Sequence, residues 1–311
     1  MFSGLRTLFI SVAVLLASSA LYSQDIYGLA NSQLIRFDLS GSPTVLVGSG
    51  VSGAGRNSMA IYEGDTETIA YVGDTTGRRV IRYNDAGQSS VYLNTSNGIL
   101  DPYAIAVDRS GRLFVSDIEN NNIRVFTSPS TSFVFADGAD GLAQAESLTI
   151  DGDGYVYAAN AFDNKIYRFD SSGTGTLWAD AADGVARPIA LAADSQGNLY
   201  VSNFTSGNIL KIDSFGVGTV FADSSDDLDV VTGLTIDEGD NVYVACFDFS
   251  AGKILKFSSE GVASVFIAPT PGVMYGNLAV AIPEPSVSVV FSGALVLLWT
   301  LGARRRCRSY R

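Results

Sequence analysis

Asp108–Asp117 reads DRSGRLFVSD, and the same frame returns as DGDGYVYAAN at Asp151–Asn160, DSQGNLYVSN at Asp194–Asn203 and DEGDNVYVAC at Asp237–Cys246, each 43 residues after the last. Every copy is a polar turn bearing Gly or Asp that feeds a run of β-branched and aromatic residues, the chemistry of a hairpin entering a strand. Working outward, a short apolar run precedes each turn (AIAVD, SLTID, ALAAD, GLTID), one follows (IRVF, IYRFD, ILKID, ILKF), and a fourth closes the unit (FVFAD, TLWAD, TVFAD, SVFIA). The second-strand series extends backward at the same spacing to IAYVGD, ending at Asp74, and IYGLAN, ending at Asn31. No helical period interrupts it.

A repeat of this length built from four short strands predicts an all-β fold, a β-propeller of four-stranded blades. The count of strands predicts how it closes. The N-terminal unit supplies only second, third and fourth strands (26 to 31, 34 to 37, 44 to 48), and its missing inner strand falls at Asn277-Leu278-Ala279-Val280-Ala281. Six blades follow: one composite, formed by pairing the N- and C-terminal strands, and five continuous ones beginning near Met59, Ile105, Leu148, Leu191 and Leu234. An open solenoid of the same period has no reason to start one strand short and end one strand over.

Composition excludes several chemistries. The 311 residues include no His, so no Ser-His-Asp or Cys-His nucleophile system and no imidazole base can be built. Residues 24 to 283 hold 14 basic against 31 acidic side chains, which argues against nucleic acid as a partner. Of two cysteines, Cys246 lies in the body and Cys307 in the tail, so the repeat domain has no internal disulfide. Cys246 reads as a small buried hydrophobe, since no His is present to activate it.

The ends carry address signals. Residues 1–23 read as a secretory signal peptide: Arg6, then the uncharged stretch LFISVAVLLASSA, with small residues at Ser18 and Ala20 for signal peptidase. At the other end Pro283-Glu284-Pro285 precedes the uncharged run Ser286–Ala303 and Arg304-Arg305-Arg306. Eighteen helical residues reach about 27 Å, enough for one transmembrane helix over about 286–303, with the Arg cluster fixing the cytoplasmic side. These three parts in this order resemble the bacterial PEP-CTERM sorting signal, which gives the division 1–23, 24–281 and 282–311. The resemblance implies export across the inner membrane of a Gram-negative-type cell, transient membrane anchorage, recognition by an exosortase, and delivery to the cell surface or an extracellular polysaccharide matrix.

The hairpins with the polar turn and IRVF or ILKF that follow them resemble the NHL repeat, a pattern shared with six-bladed propellers of the gluconolactonase and streptogramin-lyase-like groups. The resemblance covers roughly residues 25 to 281 and implies a scaffold, not an activity. Its enzymatic relatives rely on His, which is absent here, or on a central ring of Glu, Asn and Asp holding a divalent cation.

Candidate site residues follow from the repeat. Asn31, Asp74, Asp117, Asn160 and Asn203 end successive second strands at one height, the series being broken by Cys246. They read either as oxygen ligands for Ca²⁺ or another divalent cation, or as caps on the turns that follow. The loops into the next blade bring Asp137, Asp180 and Asp223 to the same face, and Phe162, Phe204, Phe247 and Phe249 lie there too, an arrangement suited to stacking on sugars or to plugging the blade tops. The turn Asp151-Gly152-Asp153-Gly154 looks like a fragment of a Ca²⁺ loop but lacks its spaced ligands and distant Glu. Two functions remain: a non-catalytic surface or matrix module for polysaccharide, protein or cation, with no assigned catalytic residue, and a divalent-metal-dependent lactonase similar to the gluconolactonases.

Overall fold

The computed structural model describes residues 25–51, 58–64, 66–247 and 251–283. The expected signal peptide, the expected transmembrane run and the rest of the expected sorting signal from Glu284 through the Arg cluster lie outside them, as does Phe249. Among the described residues no helix is long and apolar enough to cross a membrane.

The described residues form 24 strands that sort into six units of four. The innermost strands are Tyr275–Pro283, Met59–Glu63, Pro102–Val107, Ala145–Ile150, Pro188–Ala193 and Val230–Ile236, and each touches the next until the last meets the first. Each blade is an antiparallel meander stepping outward from its inner strand. The first blade is composite as expected: Ile26 pairs with Phe37 on one side and with Val280 on the other, so the C-terminal strand supplies its inner edge.

The physical reason for closure is visible in the burial pattern. Second strands such as Leu113–Asp117, Val156–Asn160 and Leu199–Asn203 are buried at every position. Neither face of such a strand can be left to water, so each blade needs a neighbour on both sides. The buried apolar residues form six separate clusters, one at each blade-to-blade interface. Six blades in an open row would have only five. The sixth interface joins Ile26, Phe37 and Leu278 of the composite blade to Tyr243, Ala245 and Ile254 of the last.

The blades approach so closely that turn chemistry is dictated by the neighbour. Gly173 sits at φ 86° in the turn between third and fourth strands, where a β-carbon would collide with the carbonyl oxygen of Phe135 in the adjoining blade.

One feature exceeds the sequence expectation. The closing strand runs to Pro283, and its end pairs in parallel with the next blade, Ala281 to Ile61 and Pro283 to Glu63. Four other inner strands turn into a hairpin at Asp108, Asp151, Asp194 and Asp237; the closing strand, whose outer partner is the N-terminal strand, instead bonds at its end along the neighbouring edge. Two blades thereby share an eight-stranded sheet.

Removing Tyr275–Pro283 takes away the inner strand of the composite blade and opens both of its interfaces. The truncated chain is expected to lose its cooperative melting transition in circular dichroism, whereas an open solenoid would lose only its terminal unit and still melt cooperatively.

Candidate functional site

The face of interest is where inner strands begin and second strands end. Asp117 pairs with Pro102, Asn160 with Ala145, and Asn203 with Pro188, so these residues stand at equivalent heights around the axis. Asp74, Asp117, Asn160 and Asn203 are buried, while Asn31 is exposed.

The polar atoms of this ring turn to backbone groups of adjacent loops. Asp117 accepts from the Leu100 N–H at 2.7 Å and the Asp101 N–H at 3.0 Å. Asn160 accepts from the Ala143 N–H at 3.1 Å and donates to the Gly141 carbonyl at 2.9 Å. Asn203 repeats this with the Ala186 N–H and the Gly184 carbonyl, each at 2.9 Å. Asp74 accepts from the Gly77 N–H and from the Arg79 guanidinium, both at 2.8 Å. Asn31 bridges the Gly272 carbonyl and the Met274 N–H. The sequence allowed either ligands or caps, and these contacts are those of caps. A cation on the axis would have to draw the oxygens away from loop N–H groups, at about 1–3 kcal/mol for each buried group left unanswered. The donor set therefore fits a divalent ion poorly. Among the described residues no three Asp, Glu or Cys side chains are grouped to hold a metal ion.

Cys246 occupies the ring position of the last blade and is fully buried; burial pushes its thiol up to about 11. It stays a neutral thiol, as an inert core cysteine does. Lys253, paired with it across the hairpin, instead holds the loop through Asp227 at 2.7 Å and Asp229 at 3.0 Å.

Asp137, Asp180 and Asp223 also serve the backbone. Each caps a one-turn 3₁₀ segment by accepting the N–H two residues on, from Ala139, Ala182 and Ser225, while Asp140, Asp183 and Asp226 reach back to the capping residue's own N–H. The hairpin aspartates behave likewise. Asp151 accepts from the Asp153 and Tyr155 N–H groups, and Asp194 and Asp237 repeat the pattern. Much of the acidity is thus turn chemistry.

This face opens onto a space at the axis. A cavity of about 340 Å³ runs between the inner strands, walled by apolar side chains such as Ile61, Ile105, Leu148, Leu191 and Leu234. Its polar lining includes Tyr103, Glu146, Arg187, Thr232 and Asn277. Beside it Phe162 and Phe204 are 68% and 46% exposed, and the Arg187 guanidinium lies over both rings, 5.9 Å and 4.5 Å from their centroids. Phe247 is half-buried at the end of its strand.

Arg187 escapes a reading of the sequence that follows the repeat, because equivalent loop positions hold Asp101, Gln144 and Val230. The available signal was its isolation: it is the one basic residue between Arg168 and Lys211.

No protein-family model and no curated protein sequence matches the chain. Solved structures do. A gluconolactonase from Xanthomonas campestris aligns over 79% of this chain and 82% of its own, at 18% identity and TM-score 0.58. A chain of a nidogen/laminin complex aligns over 84% of this chain and all of its own, at 14% identity and TM-score 0.69. A catalytically inactive His-to-Ala variant of virginiamycin B lyase from Staphylococcus aureus, solved with quinupristin, aligns over 79% and 85%, at 14% identity and TM-score 0.58. At these identities the likeness is one of fold, the β-propeller.

The capping aspartates make a pH prediction. Hydrogen bonds from Ser40, Ser172 and Ser225 hold Asp38, Asp170 and Asp223 below the ordinary carboxylate range. A carboxylate depressed in the folded state contributes stability above its unfolded pKa and loses it as pH falls toward the folded value. The urea midpoint is expected to drop between about pH 5 and pH 3. Asp170→Asn, which keeps the acceptor oxygen without a titrating proton, should show a smaller drop.

Proposed function

We propose that the protein is an exported, exosortase-sorted surface or matrix module that binds polysaccharide at the axial mouth of its propeller without catalysis. The observation that carries this reading is the pair Phe162 and Phe204, two exposed aromatic rings beside a polar-rimmed axial cavity, on a face where Asp117, Asn160 and Asn203 are engaged by backbone. Exposed rings of this size stack on the apolar faces of sugars. The cavity has the volume of a small-ligand site. The signal peptide and the Pro-Glu-Pro, apolar and Arg series support the address. Exosortase and signal peptidase are the processing partners this reading requires.

A divalent-metal-dependent lactonase is the alternative, favoured by the fold likeness to a gluconolactonase. The chain has no His, and its ring oxygens cap loops, so fold alone supports it.

Two measurements separate the readings. In affinity electrophoresis against extracellular polysaccharides, the binding module predicts that Phe162→Ala combined with Phe204→Ala weakens retardation at least about fivefold with the fold intact, because both rings are exposed. Retardation unchanged by the double substitution rejects the mouth as the binding surface. Melting in EDTA and then in millimolar Ca²⁺ is expected to give one temperature. A saturable rise, about 2.7 kcal/mol at a hundredfold excess over the dissociation constant, with lactone hydrolysis, would favour the lactonase.

A further inference from the structure

We propose that Arg187 is the anchor of a carboxylate site at the axial mouth, and that the saccharide unit bound there is a uronic acid flanked by neutral sugars. The inference rests on the mouth being the binding surface and names what it selects.

Among the described residues Arg187 is a cation without an ionic partner. Its guanidinium contacts are the two phenylalanine rings, its Nε is buried with no acceptor, and no described carboxylate lies within ion-pair distance. Other cations over rings belong to the scaffold. Arg168 on Tyr155 and Trp178, Lys211 on Tyr200 and Lys256 on Tyr243 recur from blade to blade, on the third strand facing the second and fourth. Arg187 has no such counterpart in the neighbouring blades.

Its position is fixed rather than adventitious. The Arg187 N–H donates to the Asn164 side chain at 2.7 Å, its carbonyl accepts from the Phe204 N–H at 3.0 Å, and Pro188 follows. The backbone is left-handed there, φ 54°. Gln144 has the same geometry one blade earlier, φ 51° with its N–H on Asn121, so the loop is common and only the side chain is special.

Charge decides the class of ligand. A planar guanidinium whose Nε lacks an acceptor and that has no described carboxylate within ion-pair distance matches a carboxylate, and the flanking rings lower the local dielectric and strengthen that pairing. Thr232 and Asn277 on the same cavity carry side-chain oxygens that can accept from sugar hydroxyls. The chain as a whole is strongly acidic, at −12, so a dense polyanion is repelled while a single carboxylate among neutral units is not.

The test is calorimetric titration of the processed protein with sodium glucuronate and with glucose, up to about 10 mM dissociation constants. The wild type is expected to favour glucuronate over glucose about tenfold, Arg187→Gln to abolish that preference, and Arg187→Lys to restore part of it. Equal affinity for acid and neutral sugar, or a preference that survives Arg187→Gln, overturns the carboxylate site; if Phe162→Ala with Phe204→Ala still weakens binding, the mouth reading stands without it. Binding that survives all of these substitutions, or no binding of either sugar, overturns both.

Discussion

A blade whose central strands are buried on both faces cannot exist alone. Val115, Val156, Val201 and Val242 are all at or near zero exposure, on strands that lie inside their sheets and between neighbouring sheets. The short antiparallel pairing of Ile26 with Val280 is therefore the contact on which the rest depends, because it converts a row with two raw ends into a ring with none. It also brings sequence positions about 250 residues apart into one sheet, a long-range pairing whose entropy cost is met only once the interfaces on either side have formed.

Closure carries a second constraint, which explains the acidity. Every blade contributes hairpins at both faces and a crossover loop at one, and tight loops between packed blades leave backbone N–H groups that need acceptors. Short Asp and Asn side chains supply them, as at Asp108, Asp151, Asp194 and Asp237 in the hairpins and at Asp117, Asn160 and Asn203 at the strand ends. An oxygen ring around an axis is what a metal site looks like in sequence, and also what repeated capping looks like. Only the direction of each side chain distinguishes them, and direction is not encoded in spacing.

The repeat made blade number, strand order and the composite blade legible, because closure and period are set by residues that recur every 43 positions. The extension of the last strand to Pro283 was not legible, since it depends on an unpaired edge presented by Met59–Glu63 and not on the strand's own residues. The aromatic members of the ligand face divided in the same way. Phe162 and Phe204 stand exposed beside Arg187, whereas Phe247, inside a strand that runs on to meet Gly252, is half-buried.

Symmetry itself explains why function hides in such a chain. A side chain repeated in every blade answers a need that every blade has, so recurrence points to scaffold. Selection of a ligand on the axis must break the symmetry, since a molecule seated there meets six different neighbours. The departures here fall in one region: Cys246 replaces the ring amide and is compensated by Lys253 with Asp227 and Asp229, Arg187 stands where Gln144 and Val230 stand in adjacent blades, and Tyr103, Glu146 and Thr232 differ at matched inner-strand positions. The first departure is balanced within its own loop and has nothing left to offer a ligand. The others face the cavity, and among them Arg187 alone carries a charge that no described carboxylate answers within ion-pair distance. The repeat therefore acts as its own control, and what it fails to repeat marks the part of the surface that the scaffold does not need.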